Sequence, residues 1–129
     1  MSGEAKGRIL IADAEQSFQD GLIPVLEKEG YQVFGCGTGA QALELLQGEP
    51  FDVLIVAWKL PDLEGLQIME AARQRDSAIS MITTTHQSDV DSAVKTMKLG
   101  AADYLAKPIS SNQILNLVNQ ITEGRRILA

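Results

Sequence analysis

The run Val53-Leu54-Ile55-Val56-Ala57 is followed by Trp58-Lys59-Leu60-Pro61-Asp62-Leu63-Glu64-Gly65. Five uncharged apolar residues without alternation, closed by a loop built on Pro61 and Gly65, read as a strand buried on both faces. Burial on both faces calls for helices above and below, hence a parallel sheet joined by crossovers. The carboxyl end of such a strand is where open α/β sheets place their chemistry. Here that end is the methyl group of Ala57.

Outward from this strand the same alternation recurs. Arg8 to Ala12 is a short β-branched run, followed by a helical stretch from Glu15 to Glu29 with Phe18, Leu22, Val25 and Leu26 inward. A second strand spans Tyr31 to Gly35, ended by Gly35, Gly37 and Gly39, with Gly35-Cys36-Gly37-Thr38-Gly39 read as a flexible turn rather than a phosphate loop. Helices follow over Ala40 to Gln47 and Gly65 to Gln74, the third strand covering Asp52 to Ala57. A fourth strand over Ile79 to Thr84 and a helix over Asp89 to Leu99, stopped by Gly100 in the αL conformation, lead to a last strand, Ala102 to Ala106. Ser110 opens the final helix, with Ile114, Leu117, Val118 and Ile121 inward. Right-handed crossovers then give a single (βα)5 doubly wound α/β domain with five parallel strands. Pro24 stands inside the first helix, where it removes a hydrogen bond, so a kink or a later start near Gly21 is expected. Residues 1–7 read as a disordered lead-in or cloning remnant, 8–123 as the domain, and 124–129 as a tail or the start of a linker in a longer protein.

A chain of 129 residues with 45% hydrophobic and 22% charged side chains supports one soluble domain with one core. Its net charge of −6 argues against direct nucleic-acid binding, which needs clustered cations. Cys36 is alone, which leaves no disulfide framework or thiolate zinc site, and a reducing cytoplasm is the simplest compartment. No apolar run approaches the length of a membrane span, and the first residues lack an apolar signal core.

The strand ends carry a resemblance. Ile9-Leu10-Ile11-Ala12-Asp13-Ala14-Glu15, the third strand with Pro61 and Gly65, Thr83-Thr84-Thr85, and Gly100-Ala101-Ala102-Asp103-Tyr104-Leu105-Ala106-Lys107-Pro108 together resemble the receiver domains of response regulators, the CheY-like superfamily of two-component signalling. The resemblance runs from Arg8 to about Glu123 and implies the flavodoxin-like strand order 2-1-3-4-5. It implies phosphoryl transfer from a histidine kinase to an aspartate beside Mg²⁺, a lysine that screens the phosphate, and a hydroxyl and an aromatic that relay the change to the fourth helix, fifth strand and fifth helix. Lys107 matches the lysine, Tyr104 the aromatic, and Asp13 the first acidic residue. Counting back from Gly100 places Thr85 at the hydroxyl, with Thr84 as neighbouring candidate. Ala14 falls at the second acidic position and Ala57 at the acceptor.

Ala57 has no oxygen to phosphorylate, and one carboxylate makes a poor site for a hard cation. The sequence is thus expected to be a degenerate receiver, not an enzyme, with no cofactor and weak or lost Mg²⁺ binding. It is expected to act by phosphorylation-independent protein–protein contact with a signalling partner, an attached output domain or a second copy. The alternatives are an ordinary receiver whose aspartate was replaced by alanine by design, and a small-molecule sensor of flavodoxin-like fold. Lys107 is expected to lean on Asp13 alone, and His86 and Lys59 to fill the emptied pocket. A single arrangement of Thr85 and Tyr104, set by packing, is expected. Glu15, Asp62 and Glu64 read as solvated loop charges, Thr83 to Thr85 as strand residues without an activating base, and Trp58 as a rim or recognition aromatic. Lys95 and Lys98, with Asp89, Asp91 and Asp103, read as a solvated face, a charge-complementary dimer contact being the alternative.

Overall fold

Parity along the strands sorts the core into two layers. In the computed structural model, which describes residues 5–128 with side chains through residue 124, β1 (Arg8–Ala12) and β3 (Val53–Ala57) pair in parallel at the sheet centre. β2 (Gln32–Cys36) flanks β1, and β4 (Ser80–Thr85) and β5 (Asp103–Ala106) follow β3, giving the order β2-β1-β3-β4-β5. Ile9, Ile11, Val53 and Ile55 face α1 (Gln16–Lys28) and α5 (Ser111–Leu128), packing on Leu22, Leu26, Ile114 and Val118. Leu10, Leu54 and Met81 face α2 (Gly39–Gly48) and α3 (Gly65–Arg75), packing on Leu46, Ile68 and Met69. Each such fully buried side chain contributes roughly 1.5–3 kcal/mol of transfer free energy. The expected doubly wound architecture and strand order are the ones found. α4 (Val90–Lys98) covers β5.

Several sequence expectations are corrected in detail. β2 begins and ends one residue later than expected, because Tyr31 turns inward and its hydroxyl meets Asn119 and Thr122 on α5. Gly35 and Cys36 are therefore strand, and Thr38 caps α2 by accepting the Gln41 N–H at 3.2 Å, so the glycine cluster is a strand end and a helix start rather than a flexible turn. β4 likewise starts at Ser80. α1 is continuous from Gln16, with Pro24 inside it. Pro24 and Asp20 are exposed, which lets water reach the carbonyl that the proline leaves without a donor, and Ser111 Oγ donates to the next carbonyl, Gly21 O, at 3.0 Å. Within the expected lead-in, Lys6 N–H donates to Gly30 O and Gly7 O accepts from Gln32 N–H, so the chain joins the fold before Arg8; residues 1–4 lie outside the described part. Residues 124–128 continue α5. Ser110 opens it as expected, its hydroxyl accepting from Gln113 N–H while Gln113 Oε1 accepts from Ser110 N–H, a reciprocal capping box.

Candidate functional site

The carboxyl ends of β1, β3 and β4 and the residue after β5 converge on one cleft of about 370 Å³. Register sets its floor: Ala12 pairs with Val56, Ala57 with Thr84, and Thr85 with Ala106. Asp13 follows β1 immediately, its N–H held by Cys36 O, and Lys107 follows β5, its N–H held by Thr85 O at 2.7 Å. The wall after Ala57 is fixed by the Pro61–Gly65 loop, where Gly65 N–H donates to Trp58 O at 2.7 Å. A Cβ on Gly65 would lie far inside contact distance of the Ala57 carbonyl oxygen and against backbone that cannot yield, which is why glycine is needed there.

The charged groups of the cleft form one network. Lys107 Nζ donates to Asp13 Oδ2 at 2.7 Å, with the two side chains only 7% and 3% exposed. Expected to lean on Asp13 alone, Lys107 is in fact also bonded to Glu15 Oε1, and its ammonium stands 4.3 Å from the centre of the Phe18 ring. Glu15 Oε1 in turn meets His86 Nε2 at 2.8 Å. A buried ammonium needs compensating anions, and with Ala57 supplying none that demand falls to whichever carboxylate can reach. Glu15 is therefore not the solvated loop charge it was read as. The Lys107 hydrogen bond, the largest cause, and His86 beside it hold its carboxyl below the usual range. Asp13 has both oxygens engaged, Oδ1 accepting Glu15 N–H at 2.9 Å. Ala14 and Ala57 bring only methyl groups to this rim, and among the described residues no three His, Cys, Asp or Glu side chains are grouped to hold a metal ion.

His86 and Lys59, expected to fill the pocket, stand instead at its rim. The His86 side chain is 67% exposed and turned toward Glu15, Lys59 is exposed, and the cleft between them stays open. Thr85 Oγ1 is occupied by Gln87, donating to its carbonyl and accepting its N–H, both at 3.2 Å. Thr84 Oγ1, opposite Ala57, is fully buried and has no hydrogen-bond partner. The Tyr104 hydroxyl is held against α4 by Ser92 Oγ and by Asp89 N–H at 3.3 Å. Thr85 and Tyr104 thus each rest on a defined set of hydrogen bonds.

Two residues with structural weight at this end escaped the sequence reading. Gln19 is buried, and its Nε2 donates to Asp13 O at 2.7 Å and Cys36 O at 2.8 Å, tying the ends of β1 and β2 together. Its signal was available: it is the polar residue one turn before Leu22 on the inward stripe of α1. Asp62, read as a solvated charge, accepts the N–H groups of Gly39 at 2.7 Å and Ala40 at 3.0 Å. These two bonds hold its carboxyl below the usual range and clamp the loop after Ala57 to the start of α2. Glu64 precedes α3, its N–H bonded to Gln67 Oε1 at 3.0 Å, so it too has a place in a helix start.

The family model described as "Response regulator receiver domain" matches residues 9–119. The chain is 34% identical over 128 residues to the alginate biosynthesis transcriptional regulatory protein AlgB of Pseudomonas aeruginosa, covering 99% of this chain but 28% of that protein's length. It is 31% identical over 113 residues to sporulation initiation phosphotransferase F of Bacillus subtilis, covering 88% of this chain and 91% of the relative. Among solved structures, the CheY-like receiver domain protein from Methanospirillum hungatei superposes with a TM-score of 0.89 at 27% identity, covering 95% of this chain and 98% of the other. The matched segment contains the five strands, short only of Arg8, and every cleft residue described above, and on this basis the chain belongs to the response regulator receiver domain family.

Proposed function

We propose that this receiver domain works in two-component signalling through phosphorylation-independent contact with protein partners. The observation that carries the reading is the pairing of Ala57 with a satisfied Lys107: the acceptor position has no nucleophilic oxygen, and the ammonium is already neutralised by Asp13 and Glu15. In a phospho-accepting site that lysine is held for the incoming phosphoryl group, whose charge Mg²⁺ and cationic side chains offset. Mg²⁺, which the family implies, does not fit the donor set here. Hard-cation sites need several free oxygens, and the carboxylates here are already engaged, Asp13 by Glu15 N–H and Lys107 and Glu15 by Lys107 and His86. The domain then acts as a shape rather than as a catalyst, consistent with a role that is not enzymatic.

The test is an amide NMR titration with Mg²⁺ and then beryllofluoride. Unchanged resonances at Thr85, Tyr104 and Lys107 are expected; saturable shifts there would overturn the reading. Restoring the acceptor tests the metal argument separately. Ala57→Asp alone is expected to be labelled by acetyl phosphate roughly tenfold or more slowly than Ala14→Asp/Ala57→Asp, the order of loss seen when a metal's ligand environment is incomplete. Equal labelling would show that Ala14 and the Lys107–Glu15 bond are no obstacle, as in an ordinary receiver whose aspartate had been exchanged. The open cleft favours a second reading, small-molecule sensing, which a ligand-dependent melting shift reversed by filling the cleft with Ala57→Leu would support.

A further inference from the structure

At the floor of the cleft a hydroxyl stands without an acceptor. β3 and β4 run parallel and in register, so Ala57 and its partner Thr84 present their side chains on one face of the sheet, as Ile55 and Ile82 do two residues earlier. Neighbouring strands lie about 4.8 Å apart, which puts the Thr84 hydroxyl beside the Ala57 methyl. Thr84 is wholly buried, its Oγ1 has no hydrogen-bond partner, and it lines the cleft together with Ala57 and Trp58. A buried hydroxyl in this state carries its desolvation cost uncompensated. An acceptor atom seated on the Ala57 methyl, in the space a longer side chain at that position would fill, comes within its reach.

The charges of the cleft set the charge of what fits. Asp13 and Glu15 already hold Lys107, so its ammonium offers an anion nothing unbalanced. Over the whole lining, the carboxylates of Asp13, Glu15 and Asp89 outnumber the ammoniums of Lys59 and Lys107. A phosphate or carboxylate entering here meets net negative charge. A cation fares no better at the floor, where Asp13 and Glu15 are engaged and a methyl group would replace its water. An uncharged polar group escapes both penalties. A carboxamide suits the hydroxyl best, because it offers an oxygen to accept from Oγ1 and an N–H to donate to it.

Size and lining settle the rest. The cleft, about 370 Å³, stands at the small end of the roughly 300–1,000 Å³ that ligand sites occupy, room for one flat ring or a fused pair. Trp58, half-buried in the wall, supplies an aromatic surface for such a ring. The geometry points to a site for an uncharged aromatic carboxamide or lactam, its amide bonded to Thr84 Oγ1 over the Ala57 methyl and its ring against Trp58. The inference rests on the second, small-molecule reading above and names its ligand class.

Three compounds with one ring separate the charges: benzamide, benzoate and benzylamine, each titrated into the full chain and read at the amide resonances of Ala57, Thr84 and Lys107. Benzamide is expected to give saturable shifts with a millimolar Kd, and benzoate and benzylamine to bind at least tenfold more weakly. Thr84→Val, of the same shape without the hydroxyl, is expected to keep a urea midpoint at or above that of the parent. It is expected to bind benzamide about fivefold more weakly, the worth of one net hydrogen bond, while Thr84→Ser binds like the parent. Either charged compound binding as tightly as benzamide, Thr84→Val binding like the parent, or no saturable shift from benzamide would each overturn the assignment. The charge series needs no variant and decides the ligand class by itself. The small-molecule reading fails separately, if no compound in a metabolite panel gives a melting shift that Ala57→Leu reverses. Such a shift from a charged compound, with no response to benzamide, ends only the assignment made for Thr84.

Discussion

The residue with the most altered role is Glu15. Its carboxyl is held below the ordinary glutamate range by the Lys107 bond, so its contribution to stability is complete above the unfolded-state value and disappears as pH falls through the lower folded value. Glu15→Gln is therefore expected to lower the urea midpoint at pH 7, with the two curves converging as pH falls through the folded value; parallel curves would contradict the assignment. Cys36 gives a second residue-scale outcome. Burial pushes its thiol up to about 11, so at pH 8 it is expected to react with a disulfide reagent only after denaturation. The Lys107–Asp13 pairing was legible in the sequence because both positions lie in motifs that fix the ends of β5 and β1. Glu15 was not. Which rotamer a loop carboxylate takes depends on the charge balance of the assembled site, and that balance exists only once Ala57 and Lys107 are brought within reach of each other.

At the scale of elements, eight of the ten differ from the sequence reading by one residue at one end or both, β1 coincides with it, and α5 opens as expected. Apolar runs and turn residues announce an element but not the residue at which a neighbour's pairing ends it, as Tyr31 and Ile79 illustrate. Pro24 misled for a related reason: the penalty for a helix-interior proline is local, while its compensation, the exposed Asp20 carbonyl and the Ser111 hydroxyl, comes from solvent and from α5. Pro24→Ala restores an N–H donor to a carbonyl that water already reaches, so the gain is that of one net hydrogen bond, about 1 kcal/mol, well short of the full helix-interior cost of proline. A small rise in the urea midpoint is expected. α4 shows the other limit of sequence reading. Helical spacing tells which residues share a face, as Val90, Val94 and Met97 do, but not that this face points to solvent while Ser92 and Thr96 are buried; that is decided by β4 and β5 beneath it.

For the whole molecule, the two apolar layers meet on β1 and β3, while α4 rests on hydroxyls. Stability is therefore distributed unevenly. Amide hydrogen exchange is expected to be slowest in β1 and β3 and, among the helices, fastest in α4, with protection there equal to that of α1 as the contrary result. The overall topology was readable from sequence because every strand-to-helix connection is short and parallel, so handedness left few alternatives. Among the described residues no helix is long and apolar enough to cross a membrane. The chain spans 28% of the length of AlgB.

Trp58 is the single tryptophan of the chain, and it lines the cleft beside Ala57. Its ultraviolet emission consequently reports on this one locality, free of background from any other indole. The domain carries its own optical gauge: an ion, a metabolite or a partner loop entering the cleft changes the polarity around that ring, and the wavelength of its fluorescence moves without any label having been attached.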